Sequence, residues 1–129
     1  GGLGNCDAVL QQAKQLQQLS EAVVAFYQDL EAQGRQNDVT LMTFSEFGRR
    51  VQENGSAGTD HGTASVLFVV GGAVKGGVHG DYPSLTDLDN GDLRFHTDFR
   101  SVYATVLSNW LGMQPAKVLG ADYPALKFV

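Results

Sequence analysis

Residues 39–62 read VTLMTFSEFGRRVQENGSAGTDHG, and how this stretch folds decides the rest. Val39, Thr40, Leu41, Met42, Thr43 and Phe44 form a short apolar run with β-branched residues, the pattern of a buried strand. Ser45, Glu46, Arg49 and Arg50 follow where that strand should end. A loop of Asn54, Gly55, Ser56, Ala57, Gly58 and Thr59 then delivers Asp60, His61 and Gly62. Val66-Leu67-Phe68-Val69-Val70 is a second apolar run, stopped by Gly71-Gly72. The stretch thus places a carboxylate, an imidazole and two guanidinium groups between two core strands. In an open α/β sheet, ligands sit outside the carboxyl ends of the strands, so chemistry is expected here.

Upstream, the segment from Asp7 to about Ala32 reads as a helix. Val9, Ala13, Leu16, Leu19, Val23, Phe26 and Leu30 recur at steps of three and four, one face of a 3.6-residue period. Asp7 is placed as the N-cap, and Gly34 sits where a left-handed C-terminal residue belongs. The stripe fits either a coiled-coil seam or a helix docked on its own sheet, and the second is the commoner use. Docking predicts that Leu16→Ala, Val23→Ala or Phe26→Ala each costs about 2–5 kcal/mol. Residues 1–6 read as a frayed, glycine-rich lead-in.

Downstream, Gly71, Gly72, Gly76, Gly77 and Gly80 make residues 71–83 a loop. No helix pattern follows these glycines, so they do not form a dinucleotide fingerprint. Asp87, Asp89 and Asp92 lie in DLDNGD, which lacks the spacing and closing Glu of a calcium loop and reads as a solvated turn. Thr97 caps a second helix to about Leu111, with Phe99, Val102, Tyr103, Val106, Leu107, Trp110 and Leu111 as its buried stripe. The tail, with Pro115 and Pro124, is expected to be extended.

Composition narrows the classes. The 129 residues, 43% hydrophobic, suffice for one domain. A net charge of −5 with scattered Lys and Arg argues against a nucleic-acid or anionic-membrane surface. No run approaches the roughly 18 apolar residues that span a bilayer. The single Cys6 cannot form an internal disulfide.

The order of these elements carries a resemblance. LSEAVVAFYQDLEAQGRQNDVTLMTFSEFG (19–48) resembles the helix–strand unit of the alkaline phosphatase and sulfatase superfamily, where a strand ends in Ser-Asp-His-Gly and its Asp and His bind metal. TFSEFGRR, GTDHGTA, VLFVVGGAVKGG and DFRSVYATVL with NWLG look like one family within it, domain of unknown function 1501, whose members are mostly exported bacterial proteins. The resemblance runs from about Leu19 to Leu119. It implies a three-layer αβα fold with a small, mainly parallel sheet, the whole chain (1–129) being the C-terminal portion of a larger sulfatase-like domain. It also implies an exported or periplasmic location. The strands at 38–44 and 65–70 should then be parallel, with residues 45–65 as a crossover of the necessary dozen or more residues. An antiparallel pair would remove the ground for the superfamily reading.

Ser45-Glu46-Phe47-Gly48 occupies the place of Ser-Asp-His-Gly, and Phe47 has no lone pair for a metal. The resemblance makes His61 a loop ligand and Asp60 either a co-ligand or the group that orients its ring. Glu46 is a ligand, a general base, or the cap of a short helix over 47–51. Arg49 or Arg50 could clamp a phosphate or sulfate, guanidinium being suited to bidentate oxyanion binding, or both could be solvated. His79 and His96 are given surface or packing roles, and Tyr82 and Trp110 are read as core rather than as substrate platforms. Glu46, Asp60 and His61 together suit Zn²⁺ or Mn²⁺. Two functions follow: a metal-dependent hydrolase of a small anionic phosphate or sulfate ester, or a non-catalytic binding scaffold. An open sheet edge also suggests a homodimer.

Overall fold

The apolar run at 40–42 pairs with the run at 69–71, and the pairing is antiparallel. The computed structural model describes residues 4–129, with side chains from residue 10. Helix α1 spans Gly4–Ala32, strand β1 Thr40–Met42 and strand β4 Val69–Gly71. Between them lie β2 (Gly48–Glu53) and β3 (Thr59–Gly62); after them come β5 (Leu88–Asp89), β6 (Asp92–Leu93), α2 (Phe99–Thr105) and α3 (Pro115–Leu119). The strands form three separate two-stranded antiparallel sheets, β1–β4, β2–β3 and β5–β6.

The expected parallel, three-layer αβα sheet is therefore overturned. Thr40 faces Gly71, Leu41 faces Val70 and Met42 faces Val69. Thr43 extends the ladder by donating its N–H to the Phe68 carbonyl at 2.9 Å. A parallel crossover needs a connection that packs on the sheet and carries the chain back to the end where the first strand began. Here residues 48–62 fold on themselves as a hairpin, and the chain enters β4 at the end where it left β1.

Helix α1 contains no proline, and Gln, Glu, Lys, Leu and Ala dominate it, all good helix formers. It begins at Gly4, so Asp7 lies inside it and is not its cap; residues 1–3 of the expected lead-in fall outside the described residues. Its end is as expected. Gly34 takes φ +66°, Arg35 donates to Leu30 O at 2.8 Å and Gly34 to Glu31 O at 3.0 Å, a Schellman closure. Val23, Phe26, Tyr27 and Leu30 lie against Val39, Leu41 and Val70, so the C-terminal part of the stripe meets the sheet, although Phe26 stays 44% exposed. Leu16 stays 62% exposed and Leu19 46%.

The expected second helix begins one residue late. Asp98, not Thr97, is the N-cap: it accepts from Arg100 N at 2.9 Å and, at 2.6 Å, from the Arg100 guanidinium. The guanidinium bonds, helped by the backbone one, hold the Asp98 carboxyl below its ordinary range. That contribution is present above the range and fades as pH falls through the lowered value. The helix then widens into a π-helical turn, Val106–Trp110, where Leu111 donates to Val106 O at 3.0 Å. Of the seven-residue stripe only Val102 is buried; Phe99 and Leu111 are exposed. Tyr82, given a packing role from sequence, is 82% exposed. The tail forms α3, with Pro115 at its start and Gly120 (φ +76°) as a left-handed cap, where an extended segment was expected.

The buried core lies where α2 meets the C-terminal segment of the chain. It consists of Val102, Ala104 and Phe128 with Ser101 and Thr105. Thr105 is fully buried; its hydroxyl donates to Ser101 O and accepts from Leu126 N, both at 2.7 Å. Lys75 donates its N–H to Phe128 O at 2.7 Å, tying the glycine-rich loop to this core. The surface is 9418 Å², where a compact monomer of 13.8 kDa exposes roughly 6,600 Å². Among the described residues no helix is long and apolar enough to cross a membrane.

Thr105→Val keeps the volume and removes the hydroxyl, leaving the Leu126 N–H unpaired. A loss of about 1–3 kcal/mol is expected in urea unfolding. Leu16→Ala, by contrast, should change stability by under about 0.5 kcal/mol, because its side chain is already largely in water.

Candidate functional site

The hairpin β2–β3 is built around two facing glycines. Gly48 pairs with Gly62 and Arg49 with His61. A Cβ on Gly48 would run into the Ala64 carbonyl, and one on Gly62 would lie 2.9 Å from the Arg49 carbonyl carbon and 3.0 Å from Asp92 Oδ1. The close approach of the two backbone strands, with the Asp92 carboxylate beside Gly62, thus requires glycine at both positions. From Arg49↔His61 to Glu53↔Thr59, β2 advances four residues while β3 advances two, so a bulge interrupts the ladder.

Asn54 organises the turn. Its N–H donates to Gly58 O at 2.8 Å, its Oδ1 accepts from Ser56 N at 3.0 Å and Gly58 N at 3.1 Å, and its Nδ2 donates to Asp60 Oδ1 at 2.9 Å. Sequence reading treated Asn54 and Thr59 as mere loop residues. The Asn-Gly pair at 54–55 was the available signal, since that dipeptide favours a tight hairpin turn.

Cross-strand pairing sets which side chains meet. Arg49 and His61 share a face, and Phe47, two residues before Arg49, reaches the same side. Phe47 stacks on His61, ring centroids 3.5 Å apart and planes 14° apart. Arg49 lies 5.4 Å from the Phe47 centroid and donates from Nη1 to Thr59 O at 2.7 Å. Phe47 therefore does not leave a gap where a histidine ligand should be; its ring positions His61. Arg50 turns to β6, with Nε 3.2 Å from Asp92 Oδ1 and Nη2 donating to Asp92 Oδ2 at 3.3 Å.

Five residues were predicted for the site, and the structure gathers four of them. Arg49, Arg50, Asp60 and His61, with Asn54 and Thr59, line an open hollow of about 580 Å³. Glu46 is not among them; it is exposed at the bend before β2. No short helix forms over 47–51 either, because Gly48–Glu53 is a strand. Asp60 and His61 lie within β3, not in a loop. As neighbours on a strand they turn to opposite faces and approach the hollow from different sides.

The donor set does not fit Zn²⁺ or Mn²⁺. Among the described residues no group of three or more His, Cys, Asp or Glu is placed to hold a metal ion. Asp60 has one oxygen committed to Asn54, and one face of His61 is covered by Phe47. What the hollow offers is two guanidinium groups, one imidazole and an amide, partly balanced by Asp60 and Asp92. His79 accepts or donates at Lys75 O (2.9 Å) and touches Phe128 edge-on, and His96 is exposed, both apart from the hollow.

The model of the family described as Protein of unknown function (DUF1501) matches residues 7–119, so the chain belongs to that family. The match carries no link to sulfatases or to alkaline phosphatases. No curated protein and no solved structure matches the chain.

Gly48→Ala should break the hairpin while sparing the core around Thr105. Amide exchange is expected to speed up across residues 48–62 and to stay slow in α2. Unchanged protection at 48–62 would show that the glycine contact is not needed.

Proposed function

We propose that this member of the family is a non-catalytic binding module that takes a small oxyanion, a phosphate, sulfate or carboxylate group, in the β2–β3 hollow. The observation that carries this reading is that Arg49, Arg50 and His61 line one open hollow. Guanidinium presents five N–H donors in a planar fork. Arg49 directs one of them to the Thr59 carbonyl, which fixes the fork against the Phe47 ring, and the remaining edge suits a bidentate oxyanion. Asn54 and the imidazole of His61 supply further polar groups at the rim. Asp60 and the Arg50–Asp92 pair reduce the net positive charge, so the affinity is modest.

The alternative is a metal-dependent hydrolase of a phosphate or sulfate ester in a longer protein. It needs Glu46, Asp60 and His61 to converge on Zn²⁺ or Mn²⁺, together with a nucleophile. Glu46 lies outside the hollow, which weighs against that reading.

Calorimetry with inorganic phosphate and with sulfate tests the proposal. Saturable binding is expected, weakened about tenfold by Arg49→Gln, equivalent to about 1.4 kcal/mol, and unaffected by Lys127→Gln. Absence of binding, or equal binding by Arg49→Gln, overturns it. Zn²⁺ or Mn²⁺ binding abolished by His61→Ala would instead favour the hydrolase reading.

A further inference from the structure

Two opposite charges line the β2–β3 hollow without an ion pair, and they are held one residue apart. Arg50 is engaged with Asp92, its Nε 3.2 Å from Oδ1. Among the described residues neither Arg49 nor Asp60 forms a salt bridge, with each other or with any other group. Arg49 is instead tied by Nη1 to the Thr59 carbonyl at 2.7 Å, and that carbonyl directly precedes Asp60 in the chain. Asp60 is tied by Oδ1 to the Asn54 amide at 2.9 Å, which leaves its second carboxylate oxygen uncommitted in an exposed side chain. Both side chains are thus held by neutral groups while their charges stay uncompensated. Glu53, further along β2, does not line the hollow.

We propose that the ligand of this hollow is a small zwitterion, with its oxyanion on Arg49 and an ammonium group on Asp60. This rests on the oxyanion reading of the site and adds the other half of the ligand. A bare sulfate offers acceptors only, so it meets the Asp60 carboxylate with like charge and no hydrogen bond. An ammonium brings three donors and the opposite charge. The charge of the whole chain points the same way. At −5 it repels a free anion at long range, but not a ligand of zero net charge. Spacing selects a short molecule. The guanidinium is held at the carbonyl of Thr59 and the carboxylate belongs to the next residue, a rise of roughly 3.4 Å along a strand. The two charges of the ligand therefore sit close together, on a spacer of about two carbons.

Three sulfonates that differ in a single group test this, titrated against the amide resonances of residues 48–62 in the intact chain. Taurine, isethionate and ethanesulfonate carry an ammonium, a hydroxyl and a hydrogen on the carbon far from the sulfonate. Taurine should bind about three- to fivefold tighter than ethanesulfonate, the scale of one exposed ion pair. Asp60→Asn keeps an oxygen for the Asn54 amide and removes the charge, so it should abolish that preference. Arg49→Gln should weaken all three ligands. Equal binding of taurine and ethanesulfonate by the unaltered chain overturns the proposal and leaves the oxyanion reading in place. A preference that persists in Asp60→Asn does the same, as does isethionate binding as tightly as taurine. Absence of any shift with sulfate and with all three sulfonates overturns both.

Discussion

Three residues of β1 pairing antiparallel with three of β4 set the position of almost everything else. Because Met42 and Val69 face each other, the 26 residues between them must leave and return at the same edge of this small sheet. They do so as the β2–β3 hairpin, which stands away from α1 and meets β6 through Arg50 and Asp92. The opposite end of the pairing fixes the C-terminus of α1, through the Schellman closure at Gly34 and the bond from Gly72 N to Gln36 O at 2.9 Å. A two-stranded sheet is marginal alone and needs a packed face. Val23, Phe26, Tyr27 and Leu30 supply it on one side.

The same economy of strands explains why the site lies where it does. A bulged two-stranded hairpin has no third strand to cover it, so Arg49, Asp60 and His61 remain exposed while their backbones are held closely by Gly48 and Gly62. Rigidity comes from the turn and from stacking rather than from burial. Asn54 ties the loop to Asp60, and Phe47 supports His61.

Much of this was legible in the residues. The helix over 7–32 and its glycine stop, the two apolar runs, the turn at 54–59 and the polar turn at 87–92 all carry local signals. The last proves to be a hairpin around Asn90 and Gly91, both at positive φ. What failed was the relative direction of the two runs, and also their extent and burial: only Thr40–Met42 and Val69–Gly71 are strand, and Phe44, Val66 and Phe68 are exposed. An apolar strand of six residues reads the same in parallel and antiparallel sheets, and the length of the connection permitted either. The information lay in Gly48 and Gly62, whose need for close backbone approach is invisible until their partners are known. Likewise the residues of the hollow were readable as polar groups near strand ends, but not the exclusion of Glu46, which depends on where the bend at 45–47 points. Phe47 misled for a related reason: compared with a ligand position it looked like a loss, and only geometry shows it as a ring support.

The exposure of the hollow also bears on what kind of chemistry it can host. Hydrolysis of a phosphate or sulfate ester depends on donors aimed at developing charge in a water-excluded site, where each is worth far more than in water. Here the side chains of Arg49, Asp60 and His61 are all open to solvent, and water screens them. Binding makes a weaker demand. A guanidinium fork fixed by Thr59 and Phe47 needs no low dielectric to orient an oxyanion; it needs only that its own rotamer be settled before the ligand arrives. The hairpin meets that condition and not the other, which supports the proposed reading of the hollow as an oxyanion-binding site.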